Sequence, residues 1–219
     1  MPGSRPSLSL DGEWRFIADP ERLHTPSDLP TGEPIQVPGC WEAQVSRPYR
    51  IVTAWYRRSV DIPKDWAGER IVIRFGAVMY RCVVFLNGTR IGEHEGGYTP
   101  FEVEAGDAAR PGGSNDLVVY VVNPLNAIDE YPAFSVEEVL LAQHLEPDLP
   151  LSEAPHGKQT WYSSQSGIWL SVSIERRPAV ALAALRITPD VPGEAADVHW
   201  AFDGLPNVDE MLQRTTRKP

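Results

Sequence analysis

The feature that most constrains this chain is a two-residue periodicity broken at short intervals by Gly, Pro and Asn. "RIVIRFG" (70–76) alternates strictly, with Ile71, Ile73 and Phe75 on one side and Arg70, Val72 and Arg74 on the other. Successive side chains of a strand point to opposite faces, so this is the signature of a strand with one face on a core. "TAWYRRSVDIP" (53–63) alternates and ends in Pro, as a strand leaving a sheet does. "VMYRCVVFLNG" (78–88) is more continuously apolar and reads as a central strand. "TRIGEHEG", "YTPFEVE", "NDLVVYVVNP" (115–124) and "SGIWLSVSIERRP" (166–178) follow, each bounded by turn residues. With 21 Pro and 17 Gly in 219 residues, the chain turns too often for long helices. The fold class is all-β.

Within this pattern "NGTRIGEHEGGYTPFEVE" (87–104) poses a choice between chemistry and architecture. Asn87-Gly88 is a hairpin turn, because a type I′ turn needs φ > 0 at both central residues. The strand ending at 86 then folds back from 89, and Gly96-Gly97 interrupts it. His94 between Glu93 and Glu95 has the residue types of a metal or acid/base site. On a strand, however, the two carboxylates share one face and the imidazole takes the other. The trio does not converge, and the structural reading is preferred.

The pattern weakens at two places. Residues 124–160 form a long excursion rich in Pro and acidic residues, in which "FSVEEVLLAQHL" (134–145) carries the chain's longest helix-like pattern. Connections of this length in a compact domain are functional or disordered. After Pro178, "AVALAALRITPDVPGEAADVHWAFDG" (179–204) offers two more strands, while "LPNVDEMLQRTTRKP" fits neither strand nor core. Two strands cannot bury a core of their own. The chain therefore divides into a complete β-domain, 1–178, and the first piece of a second, 179–219, with a disordered tail.

Charge and cysteines exclude several function classes. The net charge of −10 repels phosphate backbones and anionic lipid, so neither nucleic acid nor membrane is an expected partner. Cys40 and Cys82 lack metal-ligand spacing, so no metal and no cofactor are expected. The N-terminal residues have no apolar signal region and no run of about 18 apolar residues occurs. The expectation is a soluble cytoplasmic protein with two buried thiols.

Five separated stretches carry a resemblance: "LDGEWRF" (10–16), "VPGCWEAQ" (37–44), "TAWYRRSVDIP" (53–63), "FLNGTRIGEHEGGYTPFEVE" (85–104) and "HGKQTWYSSQSGIWLSVSIERRP" (156–178). In this order they resemble the N-terminal sugar-binding domain of glycoside hydrolase family 2, the β-galactosidase and β-glucuronidase family. The resemblance implies a jelly-roll β-sandwich of the galactose-binding-domain type, followed by an immunoglobulin-like sandwich of which this sequence holds an incomplete part, and then a TIM barrel. It implies a retaining glycosidase whose acid/base and nucleophile glutamates both lie on the barrel. A barrel takes roughly 200 residues or more, so no catalytic residue is carried over to this chain, which is expected to be inactive alone. The implied partners are a carbohydrate and the remaining glycosidase domains.

Sugar recognition needs an aromatic face for the C–H side of a pyranose and planar polar groups for its hydroxyls. "HGKQTWYSSQSG" (156–167) supplies both, which makes His156, Lys158, Gln159, Trp161, Tyr162 and Gln165 the candidate carbohydrate-binding residues. The family's corresponding loop reaches toward the active-site mouth. The classic galactosidases and glucuronidases have an acidic residue shortly before the Ser/Ala-Gly-Ile step. Trp161 stands in that neighbourhood here, so neither specificity is carried over. Packing of Trp161 and Tyr162 on the sandwich is the competing reading, and Trp14, Trp41, Trp55 and Trp169, in strand-like motifs, are assigned to the core. A non-catalytic carbohydrate-binding and scaffold domain of a family 2 glycosidase is the preferred function. A free-standing carbohydrate-binding protein and a subunit-docking module are the alternatives.

Overall fold

The computed structural model describes residues 6–46, 51–123, 165–203 and 211–216. The strands are β1 (Ser7–Ser9), β2 (Gly12–Ala18), β3 (Glu33–Val37), β4 (Thr53–Asp61), β5 (Arg70–Phe75), β6 (Arg81–Leu86), β7 (Thr89–Glu95), β8 (Phe101–Glu104), β9 (Ser114–Val122), β10 (Val172–Arg177), β11 (Ala181–Asp190), β12 (Ala195–Asp203) and β13 (Met211–Thr216). Among the described residues the only helical pieces are short 3-10 turns such as Trp41–Ala43. Two antiparallel sheets make a sandwich: a six-stranded sheet in the order β3-β2-β4-β9-β6-β7, and a four-stranded sheet in the order β1-β10-β5-β8.

The alternation puts the core between these sheets. Ile71, Ile73 and Phe75 of β5 meet Val172 and Ile174 of β10 from one side. Trp14 and Phe16 of β2, Tyr56 of β4, Val84 and Leu86 of β6 and Leu117, Val119 and Val121 of β9 face them from the other. Burying each large side chain here contributes about 1.5–3 kcal/mol. Trp14, Trp41 and Trp55 are buried, as assigned, while Trp169 is half-buried. Trp55 faces outward from the sandwich, where it packs with Tyr120 and Phe85 and donates Nε1–H to Asp19 at 2.9 Å.

Asn87-Gly88 is the turn between β6 and β7, with φ of 53° and 80°. Asn87 does more than tolerate that turn. Its Nδ2 donates to the Ala108 carbonyl at 2.7 Å and to Asn115 Oδ1 at 2.8 Å, and its Oδ1 accepts from Asp116 N at 3.0 Å. Glu93 and Glu95 are exposed, while His94 stacks on Phe101 with ring centroids 4.2 Å apart. The imidazole is thus part of the packing between β7 and β8. Val72, on the charged side of β5, is buried, under a ladder in which Arg177 grips Glu102 with two hydrogen bonds and Glu175 with two more.

At the β3 margin, Gln44 Oε1 accepts from Gln36 N at 2.7 Å, and its Nε2 donates to the carbonyls of Gln36 and Cys40 at 3.1 and 3.2 Å.

Beyond Pro178 a separate three-stranded sheet has the order β11-β12-β13. The two strands expected over 179–204 are present. The stretch expected to be neither strand nor core instead contains β13, paired with β12 from Trp200↔Met211 to Ala195↔Thr216. The short sequence "MLQRTT" has no strict alternation, so its extended form comes from pairing rather than pattern. The register sets Leu182, Leu185 and Ile187 on the same face as Phe202, Trp200 and Val198. Leu182, Leu185, Ile187 and Phe202 remain 48%, 56%, 59% and 44% exposed, so this apolar face has little cover.

Candidate functional site

The excursion leaves the six-stranded sheet at the end of β9 and re-enters at 165, ahead of β10 in the four-stranded sheet. Its two roots lie together at one end of the sandwich. Of the candidate sugar-binding residues, His156, Lys158, Gln159, Trp161 and Tyr162 lie outside the described residues, as does the helix-like 134–145 segment. Gln165 is described: it is exposed, and its carbonyl accepts from Asn123 Nδ2 at 3.4 Å.

Residues not singled out from the sequence hold the roots. Asn123 is fully buried; its Nδ2 donates to Ser166 Oγ at 2.6 Å and its backbone N to the Val52 carbonyl at 2.8 Å. Ser166, also fully buried, donates its backbone N–H to Glu42 Oε2 at 2.9 Å. The returning backbone is pinned from both sides. Gly39 N donates to the Ile168 carbonyl at 3.1 Å and Trp41 N to the Ser166 carbonyl at 3.2 Å. On the other side Met79 and Gly167 exchange two hydrogen bonds of 2.9 Å. The Met79–Tyr80 and Val37–Pro38 peptides, one beside each partner, are both cis.

Gly167 is required where it sits. Its φ is +92°, and a Cβ there would overlap the Tyr56 hydroxyl oxygen and stand 3.2 Å from Trp41 Cε3. Burial pushes the Tyr56 hydroxyl far above its usual range, against a smaller opposing effect from the Ile168 backbone. Partial burial, then the Glu42 charge, pushes the Cys40 thiol up. Both shifts disfavour the anion, the opposite of what a tyrosinate or thiolate nucleophile needs. Trp169 donates Nε1–H to the Gly97 carbonyl at 2.8 Å and meets the exposed Tyr98 edge-on, 5.8 Å between centroids.

Chemically, this end of the sandwich is a rigid apolar mount with a few oriented polar groups. Among the described residues no group of three or more His, Cys, Asp or Glu is placed to hold a metal ion. No described helix is long and apolar enough to cross a membrane. The Asp28 carboxyl, on the surface, is held below the usual carboxylate range by the backbone N–H and then the hydroxyl of Thr25. A general acid at neutral pH needs the opposite shift.

Residues 8–178 match the family model described as the sugar binding domain of glycosyl hydrolases family 2. A β-glucuronidase of Paenibacillus borealis is 27% identical over 210 residues, covering 91% of this chain and 34% of its own. That of Chlorocebus aethiops is 31% identical over 228 residues, covering 90% and 33%. The solved Faecalibacterium prausnitzii β-glucuronidase superposes with a TM-score of 0.68 at 24% identity, over 99% of this chain and 41% of its own. The chain thus spans about a third of the length of the curated relatives it matches.

Proposed function

From the premise that this chain belongs to glycoside hydrolase family 2, matched over its sugar-binding domain, we propose that it is a non-catalytic carbohydrate-binding and scaffold domain of a retaining β-glycosidase. The observation that carries this reading is the mounting of the 124–164 excursion. A jelly-roll sandwich holds both its roots at one end, and the excursion bears His156, Lys158, Gln159, Trp161 and Tyr162. That residue set offers a stacking face together with hydroxyl-reading polar groups. The relatives' names support a β-glucuronide or β-galactoside as the parent substrate. Retaining hydrolysis uses two carboxyl groups about 5 Å apart, and this reading places both on a barrel outside the present sequence.

The rest of such a glycosidase is the proposed partner. The apolar face of β11 and β12 supports this, because a sheet with one apolar face needs a second layer against it. We read 179–219 as the opening of an immunoglobulin-like sandwich that further strands complete.

The test is a thermal-shift series with D-glucuronic acid, D-galactose and D-glucose, paired with an assay for release of p-nitrophenol from the matching β-glycosides. Saturable stabilisation by one sugar without hydrolysis is expected, since a ligand that binds only the folded state raises its melting temperature. Trp161→Ala is expected to abolish that shift while leaving the unliganded melting temperature within a few degrees. Hydrolysis, or stabilisation by none of the sugars, refutes the reading.

A further inference from the structure

We propose that Asn87 is a deamidation site guarded by the fold: it is modified when the β6–β7 hairpin opens, and a hairpin carrying the product cannot close as before. The inference is independent of what the domain binds. Asn87-Gly88 is the single Asn-Gly pair in the chain. In a flexible chain the Gly88 backbone nitrogen reaches the Asn87 side-chain carbon easily, because Gly88 has no side chain to obstruct it. A bond forms between that nitrogen and Cγ, the Cγ–Nδ2 bond breaks, and the Gly88 amide proton leaves with the departing nitrogen as ammonia. Water then opens the succinimide at one carbonyl or the other, giving aspartate or isoaspartate. No oxidant, reductant or cofactor takes part.

The folded chain holds both polar atoms of that amide in place. Nδ2 donates to the Ala108 carbonyl and to Asn115 Oδ1, and Oδ1 accepts from Asp116 N, so turning the amide toward Gly88 breaks three hydrogen bonds at once. The Asn87 backbone N–H is tied as well, to the Asp116 carbonyl at 2.8 Å. The anchor cannot follow the movement. Asn115 is buried, its Oδ1 also accepts from Arg110 N at 2.8 Å, and its Nδ2 donates to the carbonyls of Arg110 and Gly113 at 3.1 and 3.0 Å.

The product does not fit the same seat. Aspartate puts a carboxylate oxygen where Nδ2 stood, facing the Ala108 carbonyl and Asn115 Oδ1 with no hydrogen to give either. Asn115 cannot turn its own amide to compensate, because its Oδ1 also serves Arg110 N. Isoaspartate adds a backbone carbon to a two-residue turn with φ of 53° and 80°, and so disturbs the register that the turn sets. Deamidation thus turns a transient opening into a permanent change, and the molecules that open most often are marked first.

The full chain is held in mildly alkaline buffer, folded or unfolded in urea, and the tryptic peptide 82–90 is followed by mass spectrometry. Asn87 is expected to convert at least about tenfold more slowly in the folded chain, the effect of keeping even one such bond closed. Sub-denaturing urea is expected to raise the folded-state rate in step with local opening. Equal rates in the folded and unfolded chain overturn the guard. The product is tested separately. Protein deamidated in urea and returned to buffer is expected to melt below untreated protein carried through the same cycle. Asn87→Asp is expected to melt below Asn87→Gly, which loses the same three bonds, accepts the positive φ and brings no charge. Full recovery of the melting temperature by the deamidated chain, or Asn87→Asp melting at or above Asn87→Gly, overturns the consequence. If Asn87→Asp does not fold while Asn87→Gly does, the carboxylate is excluded from the turn as proposed. If neither folds, the two wild-type rates and the refolding of deamidated protein decide.

Discussion

Replacing Gly167 by alanine isolates the fit between the returning excursion and the core. Two penalties add. At φ +92° an L-residue leaves its favoured backbone regions, which costs about 1–2 kcal/mol. The new methyl also enters space held by Tyr56, overlapping its hydroxyl oxygen and lying 3.1 Å from Cζ, with Trp41 on the other side; overpacking of this kind costs about 1–3 kcal/mol. A total near 3 kcal/mol corresponds to a melting temperature lower by roughly 6–12 °C for a domain of this size. The second half of the experiment separates the two penalties. Tyr56→Phe removes the overlapped oxygen and leaves the backbone strain. In the double variant the loss is expected to shrink by about 1–2 kcal/mol relative to the sum of the singles, a coupling typical of residues in direct contact. The assay is thermal and urea unfolding of wild type, both singles and the double. If Gly167→Ala melts within 2 °C of wild type, or if Tyr56→Phe restores nothing, the returning strand does not sit against Tyr56 as described.

Two further perturbations probe groups away from the excursion. Asp19 is buried and accepts from Leu23 N at 2.8 Å, His24 N at 3.2 Å and Trp55 Nε1 at 2.9 Å. Asp19→Ala strands these donors and is expected to cost about 2–3 kcal/mol, read as a lower urea midpoint at unchanged slope; a midpoint equal to wild type counts against the role. For the thiols, burial pushes Cys82 up to about 12, and partial burial raises Cys40. A raised pKa means less thiolate at any given pH, so Ellman's reagent at pH 8 is expected to react slowly with Cys40 and with Cys82 only after guanidinium unfolding. Two fast thiols in the native protein contradict the burial.

Legibility followed the range of the interaction. The β5 alternation, the Asn87-Gly88 turn and the opposed faces of Glu93, His94 and Glu95 depend on neighbours a few residues away, and the structure matches each. The burial of Val72 was not legible, since it depends on Arg177, Glu102 and Glu175 laid over a strand face that reads as polar. β13 depends on β12 as a partner, and no propensity in "MLQRTT" announces it. At the candidate site the sequence pointed to aromatic and amide side chains on the excursion, of which Gln165 alone is described. It gave no sign of Glu42, Asn123 and Ser166, because a contact across 124 residues leaves no periodic trace.

Gln44 has a consequence for how this protein shares a crowded solution with its own copies. With one oxygen and one nitrogen it answers a donor and an acceptor of Gln36, as a neighbouring strand would. A side chain thereby ends the six-stranded sheet at β3 and denies that margin to a strand from another molecule. The opposite margin, β7, carries Arg90 and Glu93 paired at 2.6 Å, whose charges discourage stacking of like strands. β11, at one margin of the small sheet, carries Arg186, Pro189 and Asp190, residue types that likewise hinder edge pairing. Edge-to-edge pairing of copies through the six-stranded sheet is therefore expected to stay slow even in a concentrated solution.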